Sequence, residues 1–213
     1  MQPAPVTHTV KILEKTYPKL KYYLNFSNPL ELMVAAILSA QVRDTAVNAA
    51  TPALFAKYKS AGDYARAAPD ELIAYIKNIT FTANKAKNII AACKILQEKH
   101  AGKVPRTMEE LTELPGIGRK TANAIMQNAF DIVEGIVVDV HGIRICYRLG
   151  WTKNKNPEKI EQDLMKIIPK NKWKKLPHLI KDHGRAVCRA QVPYCSKCVL
   201  TKLCPKQGVT KKF

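Results

Sequence analysis

Four cysteines near the C-terminal end constrain the fold of this chain more than any other feature of its sequence. They follow the spacing Cys188-x6-Cys195-x2-Cys198-x5-Cys204. Four thiolates in so short a segment can converge on one metal centre, and iron–sulfur clusters are held by cysteines alone in many proteins. Zinc is the main alternative, but four-cysteine zinc sites usually pair two Cys-x2-Cys knuckles, and only one such pair is present. The spacing therefore favours a [4Fe–4S] cluster bound by all four cysteines.

A disulfide framework is the second alternative for these cysteines, and it would need an oxidising compartment. Residues 1–10 lack the apolar core of a secretory leader, so an intracellular location, in the cytoplasm or nucleoid, is expected. The two remaining cysteines, Cys93 and Cys146, lie in apolar stretches with helical spacing. They are interpreted as core residues rather than as ligands.

The charge balance points to a polyanionic partner. Lys and Arg number 35 against 17 Asp and Glu, which gives a net charge of +18 on 213 residues. Nucleic acid is the favoured partner, although ribosome-associated and membrane-surface proteins also carry such charge. The longest apolar stretch, residues 32–40, is far shorter than a membrane span, so no membrane partner is expected.

Helical signals recur along the chain, whereas strand signals do not. The motif Asn28-Pro29-x-Glu31 combines a capping residue, a proline and a carboxylate, and it predicts the start of a helix that covers residues 32–41. Residues 136–140 form the only strand-like run, and one strand cannot build a sheet. Further helical patterns cover residues 69–76, 84–96, 107–114 and 157–168. The sequence therefore predicts an all-α protein.

A glycine-rich turn separates two helical patterns in the segment Leu114-Pro-Gly-Ile-Gly-Arg-Lys-Thr-Ala122. Pro115 and Gly116 are expected to end the first helix, and Gly118 is expected to adopt a conformation closed to other residues. Such a turn leaves backbone N–H groups at the start of the second helix, where a phosphate can bind. An ordinary turn between helices is the alternative.

Lys120, which directly follows this turn, and Asp139, further along the chain, are candidates for a catalytic role. Lys120 is either a solvated charge or, if it loses its proton, a nucleophile that can form a Schiff base. Asp139, in Val137-Val138-Asp139-Val140-His141, is either a helix N-cap or a catalytic carboxylate. The two interpretations of Asp139 are compatible, because a cap holds the carboxylate ionised and oriented. His141 and Arg144 share this turn, and both are also compatible with a structural role.

Taken together, these segments resemble endonuclease III, a family of bifunctional DNA glycosylases in the helix-hairpin-helix superfamily. The motifs are, in chain order, Leu38-Ser39-Ala40-Gln41, residues 114–120, Val138-Asp139-Val140-His141-x-x-Arg144, His183-Gly184-Arg185 and the four cysteines. The resemblance extends from about residue 25 to residue 204. It implies two helical lobes. One is a six-helix domain with the hairpin over residues 25–133, and the other is an iron–sulfur domain formed by residues 1–24 and 134–213.

The resemblance also implies an activity, namely base excision on double-stranded DNA that contains damaged pyrimidines or abasic sites. Lys120 matches the nucleophile of the family, which forms a Schiff base with the sugar and cuts the strand 3′ to the lesion by β-elimination. Asp139 matches the carboxylate that assists at the sugar. The cluster would be structural or charge-sensing, and the protein a monomer. A DNA-binding module without catalysis is the alternative, while adenine and mismatch thymine glycosylases lack a lysine at the position of Lys120.

DNA contacts follow from the resemblance as well. Gln41 matches the glutamine that fills the void left by a flipped base. Phe81 falls at the hydrophobic wedge, where a smaller aliphatic residue is more usual, and packing in the core is its alternative role. Val140 replaces a small polar residue common in the family. The remaining implied DNA-binding residues are Pro115, Gly116, Ile117, Gly118, Arg119, His141, Arg185 and Arg189.

Overall fold

The computed structural model describes residues 2–19 and 22–213, and the secondary structure within those ranges is helical without a strand. The predicted all-α class is confirmed.

None of the described helices is long and apolar enough to cross a membrane. The helices are α1 (Val6–Thr16), α2 (Pro29–Leu38), α3 (Asp44–Lys57), α4 (Ala61–Ala65), α5 (Pro69–Tyr75), α6 (Thr82–His100), α7 (Met108–Thr112), α8 (Arg119–Ala129), α9 (Val140–Arg148), α10 (Pro157–Ile167) and α11 (Leu176–Ala186), with 3₁₀ turns at Lys170–Lys172 and Cys195–Lys197.

The chain divides into two compact units. One unit is the continuous segment Tyr22–Ile132, and the other joins the N-terminal segment to Val133–Phe213. The sequence-based boundaries, after residues 24 and 133, differ from these by a few residues. The continuous unit contains seven helices where the resemblance implied six, because α4 and α7 are separate helices of five residues each.

Helix α2 forms the centre of the continuous unit. Residues 32–38 are all buried, so the helix is covered on every side. Asn28 accepts a hydrogen bond from the Glu31 backbone at 2.9 Å, which confirms the predicted N-cap. The helix ends at Leu38 rather than continuing to Gln41, because Gln41 has a left-handed backbone with φ of +57°. Helices α3, α6 and α8 pack against α2.

The second unit is held together by contacts between distant parts of the chain. The Ala4 N–H donates to the Leu149 carbonyl at 2.8 Å, and Trp151 Nε1 donates to the Ala4 carbonyl at 2.8 Å. Helix α11 packs against both α1 and α9. Cys146 is buried in this core and Cys93 in the core of the other unit, so both core predictions are confirmed.

Several elements differ from the sequence prediction for identifiable reasons. Residues 136–139 have no helical or strand assignment, and Val140 begins helix α9, so the strand-like run does not form a strand. Helix α3 was not predicted, and it contains Pro52 in its interior. Helix α4 was also missed, although it carries a reciprocal capping box between Ser60 and Asp63.

The hairpin between α7 and α8 needs its left-handed glycine at a different position from the one predicted. Gly116 has φ of +83°, whereas Gly118 has φ of −96° and ψ of 174°, an extended conformation open to any residue. The expectation for Gly118 is therefore wrong. A Cβ at Gly116 would also lie 3.1–3.3 Å from atoms of Asn88 and Ile37, while a Cβ at Gly118 would meet nothing within 4 Å.

Replacing each hairpin glycine by serine should affect thermal stability differently at the two positions. Gly116→Ser should lower Tm by roughly 2–10 °C, because a left-handed non-glycine residue costs about 1–3 kcal/mol. Gly118→Ser should leave Tm unchanged or raise it, because serine is a favoured N-cap residue and Gly118 is the N-cap of α8. Thermal denaturation followed by circular dichroism measures both, and equal losses of Tm would contradict this assignment.

Candidate functional site

Lys120 lies in the first turn of helix α8, where it is exposed to solvent. Ile117 anchors the preceding hairpin in the core, and the Ala122 N–H donates to the Gly118 carbonyl at 2.9 Å, which begins the helix. The first N–H groups of a helix have no partner within the helix itself, and Gly118 has no side chain with which to cap them. Arg119 and Lys120 add two positive charges at this end. The start of α8 is therefore suited to an anion such as a phosphate.

The amine of Lys120 is exposed in the chain alone, as expected for a solvated charge. A nucleophilic lysine needs a neutral amine, which desolvation favours. Desolvation of Lys120 would therefore have to come from whatever covers the start of α8.

Asp139 is the N-cap of helix α9, so the capping interpretation is confirmed. Its Oδ1 accepts hydrogen bonds from the backbone N–H groups of His141 at 2.8 Å and Gly142 at 2.9 Å. Both bonds end on the same oxygen, so they orient the carboxylate without occupying Oδ2. The helix terminus favours a negative charge at this position. A carboxylate held in a fixed direction is also what a role at a cationic centre requires.

His141 and Arg144 have a packing role between helices α9 and α11. Arg144 Nη2 lies 3.0 Å from His141 Nδ1, and Arg144 Nε donates to the Cys188 carbonyl at 3.2 Å. Burial lowers the pKa of His141, which favours the neutral ring. Gly184, the middle residue of the His183-Gly184-Arg185 motif, lies so close to the His141 ring that a Cβ would clash. The glycine is therefore required for the approach of the two helices.

Gln41 and Phe81 are both exposed and both strained. Their φ angles are +57° and +59°, in the left-handed region that bulky residues rarely adopt. The Phe81 side chain is 66% exposed, which excludes the alternative that it packs in the core. Each such conformation costs on the order of 1–3 kcal/mol and persists only where the surroundings impose it, most often at functional sites.

Lys85 is a residue that sequence reasoning missed in this region. It is only 5% exposed, and its Nζ donates to the carbonyls of Leu38 and Ala40, each at 2.8 Å. Nothing local in the sequence distinguishes it from the neighbouring lysines of helix α6. Its burial and its distant acceptors could be found only from the fold.

Three of the four candidate ligand cysteines, namely Cys188, Cys198 and Cys204, pack against the core of the second unit. The Leu200 N–H points at Cys198 Sγ and the Lys206 N–H at Cys204 Sγ, both at 3.4 Å. Burial raises the pKa of Cys198 to about 11, so ionising this thiol would require a nearby cation. Cys195 lies in the 3₁₀ turn that precedes Cys198.

Two further side chains approach these sulfurs. Arg148 Nη1 lies 3.3 Å from Cys188 Sγ and also donates to the Arg189 carbonyl at 2.6 Å. His183 Nε2 lies 3.5 Å from Cys198 Sγ, while its Nδ1 lies 3.1 Å from the Tyr17 hydroxyl. Sequence reasoning missed Arg148, whose partners Cys188 and Arg189 lie 40 and 41 residues away.

The donor chemistry fits an iron–sulfur cluster, because four thiols and several N–H groups directed at them are the usual surroundings of one. Within residues 2–19 and 22–213, no group of three or more His, Cys, Asp or Glu side chains could hold a metal ion. A [4Fe–4S] cluster instead binds each cysteine through a different iron atom, so its ligands are more widely spaced.

Exposed cations surround the cysteine segment. Arg189 stacks over the Tyr194 ring, with its guanidinium carbon 4.7 Å from the ring centroid, and donates to the Tyr194 hydroxyl at 3.0 Å. Arg185, Lys197 and Lys202 are exposed as well. This surface can bind a polyanion through charge, and Arg189 is held in place for such a contact.

Comparison with known proteins gives consistent matches along nearly the whole chain. Residues 34–170 match the family described as HhH-GPD superfamily base excision DNA repair protein. Endonuclease III of Synechocystis sp. is 46% identical over 199 residues, which cover 93% of this chain and 91% of that protein. Endonuclease III of Bacillus subtilis is 42% identical over 203 residues, which cover 92% of each. The corresponding Escherichia coli K12 protein is 38% identical over 192 residues, or 90% of each.

Solved structures give the same result. The structure of a trapped endonuclease III–DNA covalent intermediate superposes with a TM-score of 0.89 at 40% identity, and the match covers 94% of both chains. A non-covalent endonuclease III–DNA complex matches with the same values. A thermostable thymine-DNA glycosylase, with a TM-score of 0.83 at 22% identity, shares the fold.

Proposed function

Because the chain belongs to the HhH-GPD superfamily of base excision DNA repair proteins and, within it, to the endonuclease III family, we propose that it removes oxidised pyrimidines from duplex DNA and cuts the strand 3′ to the lesion. As a member of this family the chain is a DNA glycosylase and AP lyase. The observation that carries the specific proposal is the position of Lys120, an exposed amine in the first turn of α8, at a helix terminus suited to a phosphate.

Binding to DNA begins with the phosphates. The net charge of +18 favours association with DNA at a rate and affinity that depend on salt. Residues 115–119 offer backbone N–H groups and the Arg119 cation to one phosphate, which would bring the adjoining sugar near Lys120. Arg185, Arg189 and His141 are the proposed contacts on the second unit. DNA bound over Lys120 would also supply the desolvation that the exposed amine lacks in the chain alone.

Lys120 then acts as the nucleophile. Its neutral amine attacks C1′ of the flipped nucleotide, the bond from C1′ to the base breaks, and the base leaves with the bonding electrons. The sugar ring opens when its oxygen takes a proton, and the C1′–N bond becomes a protonated imine. Removal of a proton from C2′ then expels the 3′ phosphate oxygen from C3′, and water finally releases the lysine.

Asp139 is the proposed partner of this chemistry. A fixed carboxylate stabilises positive charge on the sugar as the base departs and can accept the proton that Lys120 must lose. The cap bonds to His141 and Gly142 keep the carboxylate oriented. Val140 follows it and is exposed, so this position offers the base an apolar contact where the family more often has a polar one.

We further infer that Cys188, Cys195, Cys198 and Cys204 hold a [4Fe–4S] cluster, which would fasten the cysteine segment and its cations to the unit. The active protein is expected to be a monomer located with the chromosomal DNA. The family membership favours an enzyme over the alternative of a DNA-binding module without catalysis, and the presence of Lys120 and Asp139 at the family positions supports the same choice.

Replacement of Lys120 tests the nucleophile directly. Lys120→Ala should lose both the borohydride-trapped covalent adduct and strand cleavage, while lesion binding falls by less than about tenfold because one of many cations is removed. Lys94→Ala, which removes an exposed charge from α6, is the matched control and should keep both activities. A trapped adduct with the Lys120 variant would overturn the assignment.

Two replacements of Asp139 separate its cap from its chemistry. Asp139→Asn should keep Tm, because asparagine caps a helix equally well, yet slow base excision by about 10²- to 10⁴-fold. Asp139→Ala should slow excision similarly and also cost about 1 kcal/mol of stability. Single-turnover kinetics and thermal melts of both variants provide the measurement. Normal excision by the asparagine variant would leave Asp139 as a cap alone.

The cluster has a spectroscopic and an analytical signature. Protein purified without oxygen should be brown and contain about four iron atoms per chain. Cys198→Ser should lose the colour and lower Tm, because the free energy of binding such a centre is also free energy of folding. Cys93→Ala, which removes a buried thiol from the other unit, should keep the iron. Colourless protein with stoichiometric zinc would contradict the proposal.

A further inference from the structure

Two of the left-handed residues of the Tyr22–Ile132 unit, Gln41 and Phe81, lie in turns that are joined by a single residue. The backbone N–H of Lys85 donates to the Phe81 carbonyl at 3.0 Å, which is the first hydrogen bond of helix α6. The side chain of the same lysine donates from Nζ to the carbonyls of Leu38 and Ala40, each at 2.8 Å. Lys85 therefore connects the turn that carries Phe81 to the turn that carries Gln41.

The acceptors of Lys85 lie where a positive charge stabilises the Gln41 turn most. Leu38 is the last residue of α2, so its carbonyl lies at the negative end of that helix. Ala40 lies inside the turn that the Val42 N–H closes by donating to the Ser39 carbonyl at 3.1 Å, and Gln41 is the left-handed residue of this turn. An ammonium group bound to both carbonyls fixes the end of the helix and the turn together.

Burial distinguishes Lys85 from a lysine that contacts phosphate. The residue is 5% exposed, whereas its neighbours Lys87 and Lys94 on the same helix are exposed. A charged group is costly to bury unless it is hydrogen-bonded, so the two carbonyl contacts account for its position. Lys85 therefore acts by stabilising the turns that it binds, and not by contacting DNA.

We propose that Lys85 is a positioning residue for lesion recognition, which holds the Gln41 and Phe81 turns in one arrangement so that both side chains are ready to enter an opened duplex. This inference rests on the proposed function, since it assigns Gln41 and Phe81 to DNA. Its physical basis is preorganisation: a strained turn that is fixed before binding does not have to be ordered during binding.

The first test compares duplex and single-stranded substrates. Lys85→Met keeps the length of the side chain and removes its charge and N–H donors. It should lower kcat/KM on a lesion in duplex DNA by about tenfold or more, the scale of one stacking contact, with much less effect on the same lesion in a single strand. Lys94→Met removes the same charge from the same helix and should change neither activity.

A double-mutant cycle shows whether Lys85 acts through Phe81. If it does, Lys85→Met should cost less activity on duplex DNA in the Phe81→Ala background than in the wild type, and the remaining loss is the part made through Gln41. Fully additive losses would overturn the proposal. Equal losses of Lys85→Met on both substrates, together with a lowered Tm, would also overturn it, because they indicate a role in stability alone.

Hydrogen exchange provides a measurement that requires no DNA and no activity. In Lys85→Met the Val42 amide, which closes the Gln41 turn, should exchange faster. The amide of Leu96, which lies in helix α6 together with Lys85, should keep its rate. Unchanged exchange at Val42 would contradict the proposal.

Lys85→Gln retains an N–H donor, so its exchange rate at Val42 should lie between those of the wild type and Lys85→Met. It provides a second variant if methionine is not tolerated. If the wild-type protein neither cuts nor binds lesion DNA, the proposed function fails, and the exchange result still decides the role of Lys85 in the turns.

Discussion

The burial of helix α2 on every side is the constraint on which the continuous unit depends. Residues 32–38 leave no polar face, so other helices must cover the whole surface of α2, and α3, α6 and α8 do so. Packing of α8 on α2 fixes the hairpin before it, and the Ile117 side chain is buried as a result. The C-terminal end of α2 also provides the carbonyl that binds Lys85. The positions of the hairpin lysine and of the turn at Gln41 therefore follow from covering one apolar helix.

The two helices that carry the proposed catalytic residues satisfy their first N–H groups in different ways. Helix α9 uses its own carboxylate, because Asp139 accepts from His141 and Gly142. Helix α8 begins at Gly118, which provides no capping side chain, and two cations follow. One terminus thus carries a carboxylate of its own chain, while the other is suited to receive a negative charge from outside. The same backbone requirement produces a fixed carboxylate in one unit and an anion site in the other.

Local patterns predicted the features whose causes are local. The Asn28 cap, the helical spacing that buries Cys93 and Cys146, and the capping role of Asp139 depend on residues close in the chain. Lys85 and Arg148 were missed because their acceptors lie 45 and 47 residues away in one case and 41 and 42 in the other. The left-handed glycine was assigned to Gly118 instead of Gly116, since either position can end a helix in sequence and only packing against Asn88 and Ile37 distinguishes them.

The division of the chain into two units also sets the order in which the units can fold during translation. The segment Tyr22–Ile132 is continuous, so its core can form as soon as residue 132 has left the ribosome. Ala4 and α1 must wait for Leu149, Trp151 and α11 before their hydrogen bonds and apolar contacts exist. The cysteine segment is translated later still. The unit that contains Lys120 is therefore complete before the unit that contains Asp139, and a nascent chain has its amine in place well before its carboxylate.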